Sequence, residues 1–300
     1  MRKPLLDAVK ERILLCDGAM GTMLQKAGLP AGACGEAWNV DKPEAVKAIQ
    51  GEYADAGADC IITNTFGGSS YRLALHGEQG RVHEMNCAAA RLAREVMGEE
   101  RYVLGDIGPF GDFLEPVGET DPEDLQQAFF VQARALAEGG ADAIIIETMA
   151  ALDEIECAVK GAQQACKLPI IVSLTYDRIP DGSYRTMMGV SPEQAAKEMS
   201  DLGVDVIGSN CGTGIDITDH ARIAQLYKDA GAKLVIVQPN AGSPRMEGGR
   251  VVYDETPELM ASNVERLIEA GACIIGGCCG TTPRHIALFR AAIDGAHGRQ

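Results

Sequence analysis

The sequence is short of histidine, short of basic residues and without a long apolar run, and each shortage narrows what the chain can do. Five of its 300 residues are histidine. His76, His83, His220, His285 and His297 all fall in helical or terminal segments, where solvated surface positions are expected. A reactive centre built on imidazole is therefore not expected. Lysine and arginine number 27 against 43 aspartates and glutamates, for a net charge of −16. A surface this acidic repels phosphate backbones and anionic lipid, which argues against nucleic acid or a membrane as partner. No apolar stretch approaches the length of a membrane span. The opening MRKPLLDAVKERILL breaks its apolar residues with charges, unlike a secretory leader. Without such a leader the ten cysteines read as reduced thiols of a cytoplasmic protein.

What is present is a recurring phrase. Tyr53-Ala54-Asp55-Ala56-Gly57-Ala58-Asp59 runs into Cys60-Ile61-Ile62, and Leu136-Ala137-Glu138-Gly139-Gly140-Ala141-Asp142 runs into Ala143-Ile144-Ile145-Ile146. Similar joints precede Val206-Ile207, Leu234-Val235-Ile236-Val237 and Ile274-Ile275. Each reads as a helix stopped by glycine, a short turn, and a strand apolar on both faces, which is the joint of a parallel sheet. Strands are expected at 13–17, 59–64, 102–107, 142–147, 169–175, 204–210, 233–239 and 272–277. Amphipathic helical segments fall at 43–56, 82–97, 122–138, 152–166, 192–202, 217–230 and 257–270, several opened by proline. This α/β alternation predicts a single (β/α)₈ TIM barrel over residues 1–300, with a doubly wound open sheet as runner-up. No linker or low-complexity segment divides the chain, and the polar tail after Ala292 is expected to fray. Two long connections, 25–42 and 176–191, suggest loops over the barrel mouth.

Two adjacent cysteines, Cys278 and Cys279, end the last strand inside Gly276-Gly277-Cys278-Cys279-Gly280, and Cys211 ends an earlier one before Gly212. Cysteine is usually a small core residue, the expected role of Cys60, Cys157, Cys166 and Cys273. The pair also lacks the CxxC spacing of zinc ribbons. Barrel closure, however, brings all three to one rim, the reactive face of this architecture. Three thiolates then hold one zinc ion and leave its fourth position open, the catalytic pattern. A substrate thiol of ordinary pKa about 8.5 is mostly protonated at neutral pH, and coordination removes that handicap, so that the bound thiolate attacks an electrophilic carbon. The same rim carries Asn64, Thr65, Asp106, Thr148, Thr175 and Asn240.

Asp17-Gly18-Ala19-Met20-Gly21-Thr22 turns from the first strand into a helix, so the amides of Gly18, Ala19 and Met20 are placed to cradle a carboxylate. Asp17 and Glu147 on the same rim suit an ammonium group; Asp17 reads equally as a turn or cap residue. Glu147, ending Ala143-Ile144-Ile145-Ile146, is costly unless paired or in use. An anion cradle, two carboxylates and a thiol-seeking metal describe a site for an amino acid that carries a thiol.

The motifs Asp17-Gly18-Ala19-Met20-Gly21-Thr22-Met23-Leu24-Gln25, Thr63-Asn64-Thr65-Phe66, Asn210-Cys211-Gly212 and Gly276-Gly277-Cys278-Cys279-Gly280-Thr281-Thr282-Pro283 together resemble the homocysteine S-methyltransferase family. Within it they are most similar to the homocysteine-binding module of the cobalamin-dependent enzymes. The resemblance implies a zinc-bearing barrel that methylates homocysteine to methionine, with Cys211, Cys278 and Cys279 as ligands. It further implies Asp17 and Glu147 on the substrate amino group, Gly18 through Met20 on its carboxylate, and Asn210 beside the metal or the substrate. Methylcobalamin is the donor it favours, supplied by a corrinoid protein or module, because betaine-using relatives carry a tyrosine where this chain has Gly67-Gly68. S-methylmethionine or betaine as donor, an excised module of a larger synthase, and a non-catalytic homocysteine-presenting role stay open at this point.

Overall fold

The structure, a computed structural model, describes residues 2–247 and 250–297. Its eight main strands are β1 (Leu14–Leu15), β2 (Cys60–Ile62), β3 (Tyr102–Ile107), β4 (Ala143–Met149), β5 (Ile170–Leu174), β6 (Val206–Asn210), β7 (Val235–Gln238) and β8 (Ile274–Ile275). All pairings among them are parallel, running from β2 through β7 in sequence order and on to β8 and β1. A bridge between Cys16 and Cys60 closes the ring, with the Asp17 amide on the Cys60 carbonyl at 3.1 Å and the Asp59 amide on the Leu15 carbonyl at 2.7 Å. The fold is a (β/α)₈ barrel, and the open-sheet alternative is excluded by that seam.

The apolar runs sort into two layers because successive strand residues face opposite ways. Leu104, Ile145, Ile171, Val206, Ile236 and Ile274 fill the barrel interior, where Leu5, Ala8 and Val9 of the first helix (Leu5–Glu11) plug one end. Val103, Ile144, Ile146, Val172, Ile207 and Val235 face the helices. Extending the interior row toward the strand ends gives Asp106, Glu147, Ser173, Asn210, Gln238 and Cys278: the row that packs the core becomes the row that lines the mouth.

Several helices start at a side-chain cap. Asp121, Ser191 and Thr256 each accept an amide of the first turn ahead of a proline, and Asp216 forms a capping box with Asp219. Two expectations need correction. The segment 257–270 is two helices, Pro257–Ala261 and Val264–Glu269, because Ser262 Oγ and Asn263 Nδ2 both donate to the Leu259 carbonyl and draw it away from the helix ladder. The last helix, Pro283–His297, does not fray after Ala292: Ile293 is buried, and Asp294 pairs with Arg290 at 2.7 Å. Residues 298–300 lie outside the described residues.

The connection 25–42 contributes Gln25, Leu29, Ala33, Gly35 and Glu36 to the mouth. The connection 176–191 folds as a hairpin of Asp177–Arg178 with Tyr184–Arg185. A second hairpin, Arg245–Glu247 with Arg250–Val252, follows β7 and was not expected.

Candidate active site

One cavity of about 390 Å³ opens at the strands' C-terminal ends, within the size range of small-molecule sites. Asp17, Gly18, Ala19, Met20, Glu147, Cys211, Cys278 and Cys279 all line it, and Asn210 lies just behind its wall. The residues singled out from sequence therefore meet in one place.

The three sulfurs lie within 4.8 Å of one another, with Cys278 and Cys279 Sγ 4.0 Å apart. Tetrahedral zinc–thiolate bonds of about 2.3 Å require sulfurs about 3.8 Å apart, so the donor set fits that ion. Adjacent cysteines reach one centre because Cys278 is the last of the interior-facing row and the chain turns immediately afterward. The Thr281 amide returns to the Cys278 carbonyl at 3.1 Å, and Gly280, with φ +80°, holds the third place of the turn. A side chain there would be strained and would strike the Tyr253 ring. Thr281 Oγ1 also donates to the Cys278 carbonyl at 2.7 Å and accepts the Ala19 amide at 3.2 Å, which locks the cysteine turn to the β1 loop.

Cys211 adopts φ +57°, a left-handed backbone that non-glycine residues seldom take. Its carbonyl accepts the His220 Nε2–H at 3.0 Å, while His220 Nδ1 pairs with Ser209 Oγ at 2.9 Å. Asn240 Nδ2 donates to Cys211 Sγ at 3.7 Å and Asn210 Nδ2 to Cys278 Sγ at 3.8 Å. The Tyr253 hydroxyl meets Cys279. These donors favour sulfur as thiolate. Hydrogen bonds from Cys278 and Cys279 hold the Cys211 thiol far below its ordinary range, and the two donating thiols are raised in exchange.

Expectation and structure part over His220. It is fully buried, not solvated, and burial lowers its pKa to about 4, so it is neutral at physiological pH. His285 is likewise buried, accepting the Thr282 amide at 3.1 Å. The signal for His220 was available: Ile217, His220, Ala224 and Tyr227 form one buried helical stripe. Tyr253 sits beyond the unexpected hairpin and had no comparable signal.

Glu147 is set by a bulge. The register of β4 on β5 shifts between Ile146 and Met149, and Thr148 takes φ +60° there. Glu147 is half-buried with no acceptor or donor bonded to it among the described residues. Burial first, then Asp17 and Cys211, push it up to about 8. Asp17, 1% exposed, is raised to about 7 by burial. One oxygen of Asp17 accepts the Ile62 amide at 3.0 Å across the barrel seam, and the other takes the Cys16 thiol at 3.4 Å. Of the three cradle amides, that of Ala19 is spent on Thr281, whereas those of Gly18 and Met20 have no acceptor among the described residues.

The mouth of this barrel gathers three thiols, the raised carboxyls of Asp17, Asp106 and Glu147, and two backbone amides with no acceptor among the described residues, at the face where barrel enzymes carry their active sites. The sequence model described as homocysteine S-methyltransferase matches residues 14–293, and the chain belongs to that family of methyltransferases. It is 34% identical to the methionine synthase of Mycobacterium tuberculosis over 308 aligned positions, covering 96% of this chain and 25% of that protein. Identity to the methionine synthase of Mycobacterium leprae is 33%, with the same coverage. The chain thus spans about a quarter of the length of these relatives. In structure it is similar to the metallated form of the homocysteine methyltransferase MmuM from Escherichia coli, with a TM-score of 0.79, 23% identity, and 96% and 99% of the two chains covered. The oxidized form of that protein gives a TM-score of 0.78 at 25% identity, covering 96% and 98% of the two chains.

Proposed function

We propose that this protein methylates the thiol of homocysteine to form methionine, with zinc held by Cys211, Cys278 and Cys279 and a methyl corrinoid as donor. The observation that carries the reading is the meeting of three sulfurs with Asp17, Glu147 and the Gly18 and Met20 amides in one cavity. Zinc held by these thiolates supplies Lewis acidity that lowers the pKa of a substrate thiol into the neutral range.

The chain's own residues do the rest. Asp17 and Glu147 take the substrate ammonium, whose charge returns both carboxyls to the ionised form. The Gly18 and Met20 amides take its carboxylate. Held at both charged groups, the substrate presents its thiol to the sulfur cluster in one orientation. Asn210 supports Cys278 and Thr148; both of its oxygen lone pairs and both N–H groups are used within the chain, by Ser173, Thr148 and Cys278.

Gly67, directly after Thr65-Phe66, stands where the betaine users carry tyrosine, and the lack of that residue favours the corrinoid reading over betaine. A side chain at 67 would meet Glu36 Oε1 at 2.7 Å, the movable end of a flexible chain, so it is residue type and not packing that supports this reading. The test is a donor screen on zinc-loaded protein with homocysteine and methylcobalamin, betaine, S-methylmethionine or S-adenosylmethionine. Methionine formed from methylcobalamin and lost in Cys211→Ala supports the proposal. Turnover with another donor alone overturns the corrinoid assignment, and tight homocysteine binding without turnover on any donor leaves a presenting module.

A further inference from the structure

The family motifs give Asp106 no role, yet it is the residue of the cavity wall whose placement is hardest to explain by packing. It is 3% exposed and continues the interior row of Tyr102 and Leu104 into the cavity floor. Its main chain is fastened on both sides. The Asp106 amide donates to Thr63 Oγ1 at 2.9 Å, and its carbonyl accepts Thr65 Oγ1 at 2.7 Å and Gln132 Nε2 at 3.3 Å. Its carboxyl, by contrast, has no partner, and Oδ1 is a buried atom without a hydrogen bond.

The aspartates just before β2, β4 and β6, at the opposite end of the barrel, are half-buried or exposed, and each is paired. Asp59 accepts the Leu15 amide and faces Arg12 and Arg290; Asp142 accepts the Val103 amide and faces Arg2 and Arg94; Asp205 accepts the Ile170 amide. A buried carboxyl left without a partner is destabilising. Here that cost is kept at the one wall where a cationic ligand is called for. Asp106 stands level with Ile145 on the adjacent strand, so Glu147 is its next neighbour on the same face, one step nearer the mouth. Burial, then Glu147, Glu36 and Asp17, raise its pKa well above the carboxylate range, as expected of acids sharing a place made for a positive charge.

We propose that Asp106 is a third carboxylate contact for the substrate's ammonium group, seated beneath Glu147, and that it sets the site's preference for an amino acid over a simple thiol. The inference rests on the homocysteine reading above. It needs no group beyond the substrate, and it explains why the floor of an otherwise apolar barrel ends in an acid.

The experiment compares homocysteine with 4-sulfanylbutanoate, the same thiol acid without its amino group, by calorimetric titration of the zinc-loaded protein. Asp106→Asn, nearly isosteric, and Asp106→Ser are measured beside the wild type at matched zinc content. Both variants are expected to weaken homocysteine binding by at least about tenfold, as loss of a charge-assisted contact does, and to bind 4-sulfanylbutanoate as the wild type does. Equal weakening for the two ligands, or zinc lost from both variants, overturns the proposal by making Asp106 a support of the fold or metal centre. Unchanged homocysteine affinity overturns it too. A wild type that does not bind homocysteine removes the underlying reading along with it.

Discussion

Asn210 grips Thr148 by both ends of its amide: Oδ1 accepts the Thr148 N–H at 3.0 Å, and Nδ2 donates to Thr148 Oγ1 at 2.7 Å. Thr148 needs that grip, because its φ of +60° is strained for a β-branched residue. The same Nδ2 reaches Cys278 Sγ at 3.8 Å, so one side chain couples the bulge that carries Glu147 to the sulfur cluster. Asn210→Ala leaves the Thr148 amide and Ser173 hydroxyl without partners and frees the strained backbone. We expect a loss of about 2–4 kcal/mol in urea unfolding and a raised KM for homocysteine. Wild-type stability together with wild-type KM would show that the grip is incidental.

The sulfur cluster predicts the metal. Zinc content of the purified protein is expected near one per chain, released by chelator and lost when Cys211, Cys278 or Cys279 is replaced by alanine or serine. Stoichiometric, chelator-resistant zinc in Cys211→Ala is the result that contradicts the ligand set.

How much of this was legible follows from where each residue sits. Cys278 and Cys279 announced themselves because glycines surround them after an apolar run, Cys211 because it closes a similar run before Gly212, and their shared rim position then joined the three. The fold was legible for the same reason, since apolar strands and glycine-stopped helices are local signals. The split at Ser262-Asn263 and the burial of Ile293 were not, because each depends on a competing side-chain bond or on packing from elsewhere in the chain. Cys211 and Thr148 hold left-handed backbones that residue type does not advertise. Tyr253 reaches Cys279 only through a hairpin, and no spacing rule foretells that approach.

His220 tests the corrected reading of a histidine. Its two nitrogens join Ser209 to the carbonyl of Cys211, and burial keeps it neutral down to about pH 4. Its ring resonances are expected not to titrate between pH 5 and 8. His220→Phe should lower stability by about 1–3 kcal/mol and speed zinc loss to a chelator, since the Cys211 carbonyl is then unpaired. A ring that titrates near its ordinary value in the folded protein would refute the buried assignment.

Glu147 is expected to bear on substrate affinity and not on the metal. It stands in the cavity wall with no hydrogen-bond partner among the described residues, which is what the proposed contact with the substrate ammonium requires. Glu147→Gln is expected to raise the homocysteine KM by about tenfold or more while zinc stays bound. An unchanged KM takes Glu147 out of the site.

Asp17 makes the sharpest prediction about pH. Its folded-state pKa is about 7 against an ordinary 3.8. Below 3.8 the carboxyl is neutral in both folded and unfolded chains and contributes no pH dependence. Between the two values the unfolded chain has released the proton and the folded chain has kept it, so folding stability falls as pH rises, and above about 7 the full penalty is present. The shift corresponds to a few kcal/mol at most, roughly 1–4 once coupling to Glu147 is allowed for. The metal-free protein, kept reduced so that zinc linkage does not intrude, is expected to lose stability in urea from pH 4.5 to 8. Asp17→Asn, which carries no ionisable group, should show a distinctly shallower decline. Parallel profiles for the two proteins would mean that Asp17 is already ionised in the folded state at low pH and that burial does not raise it.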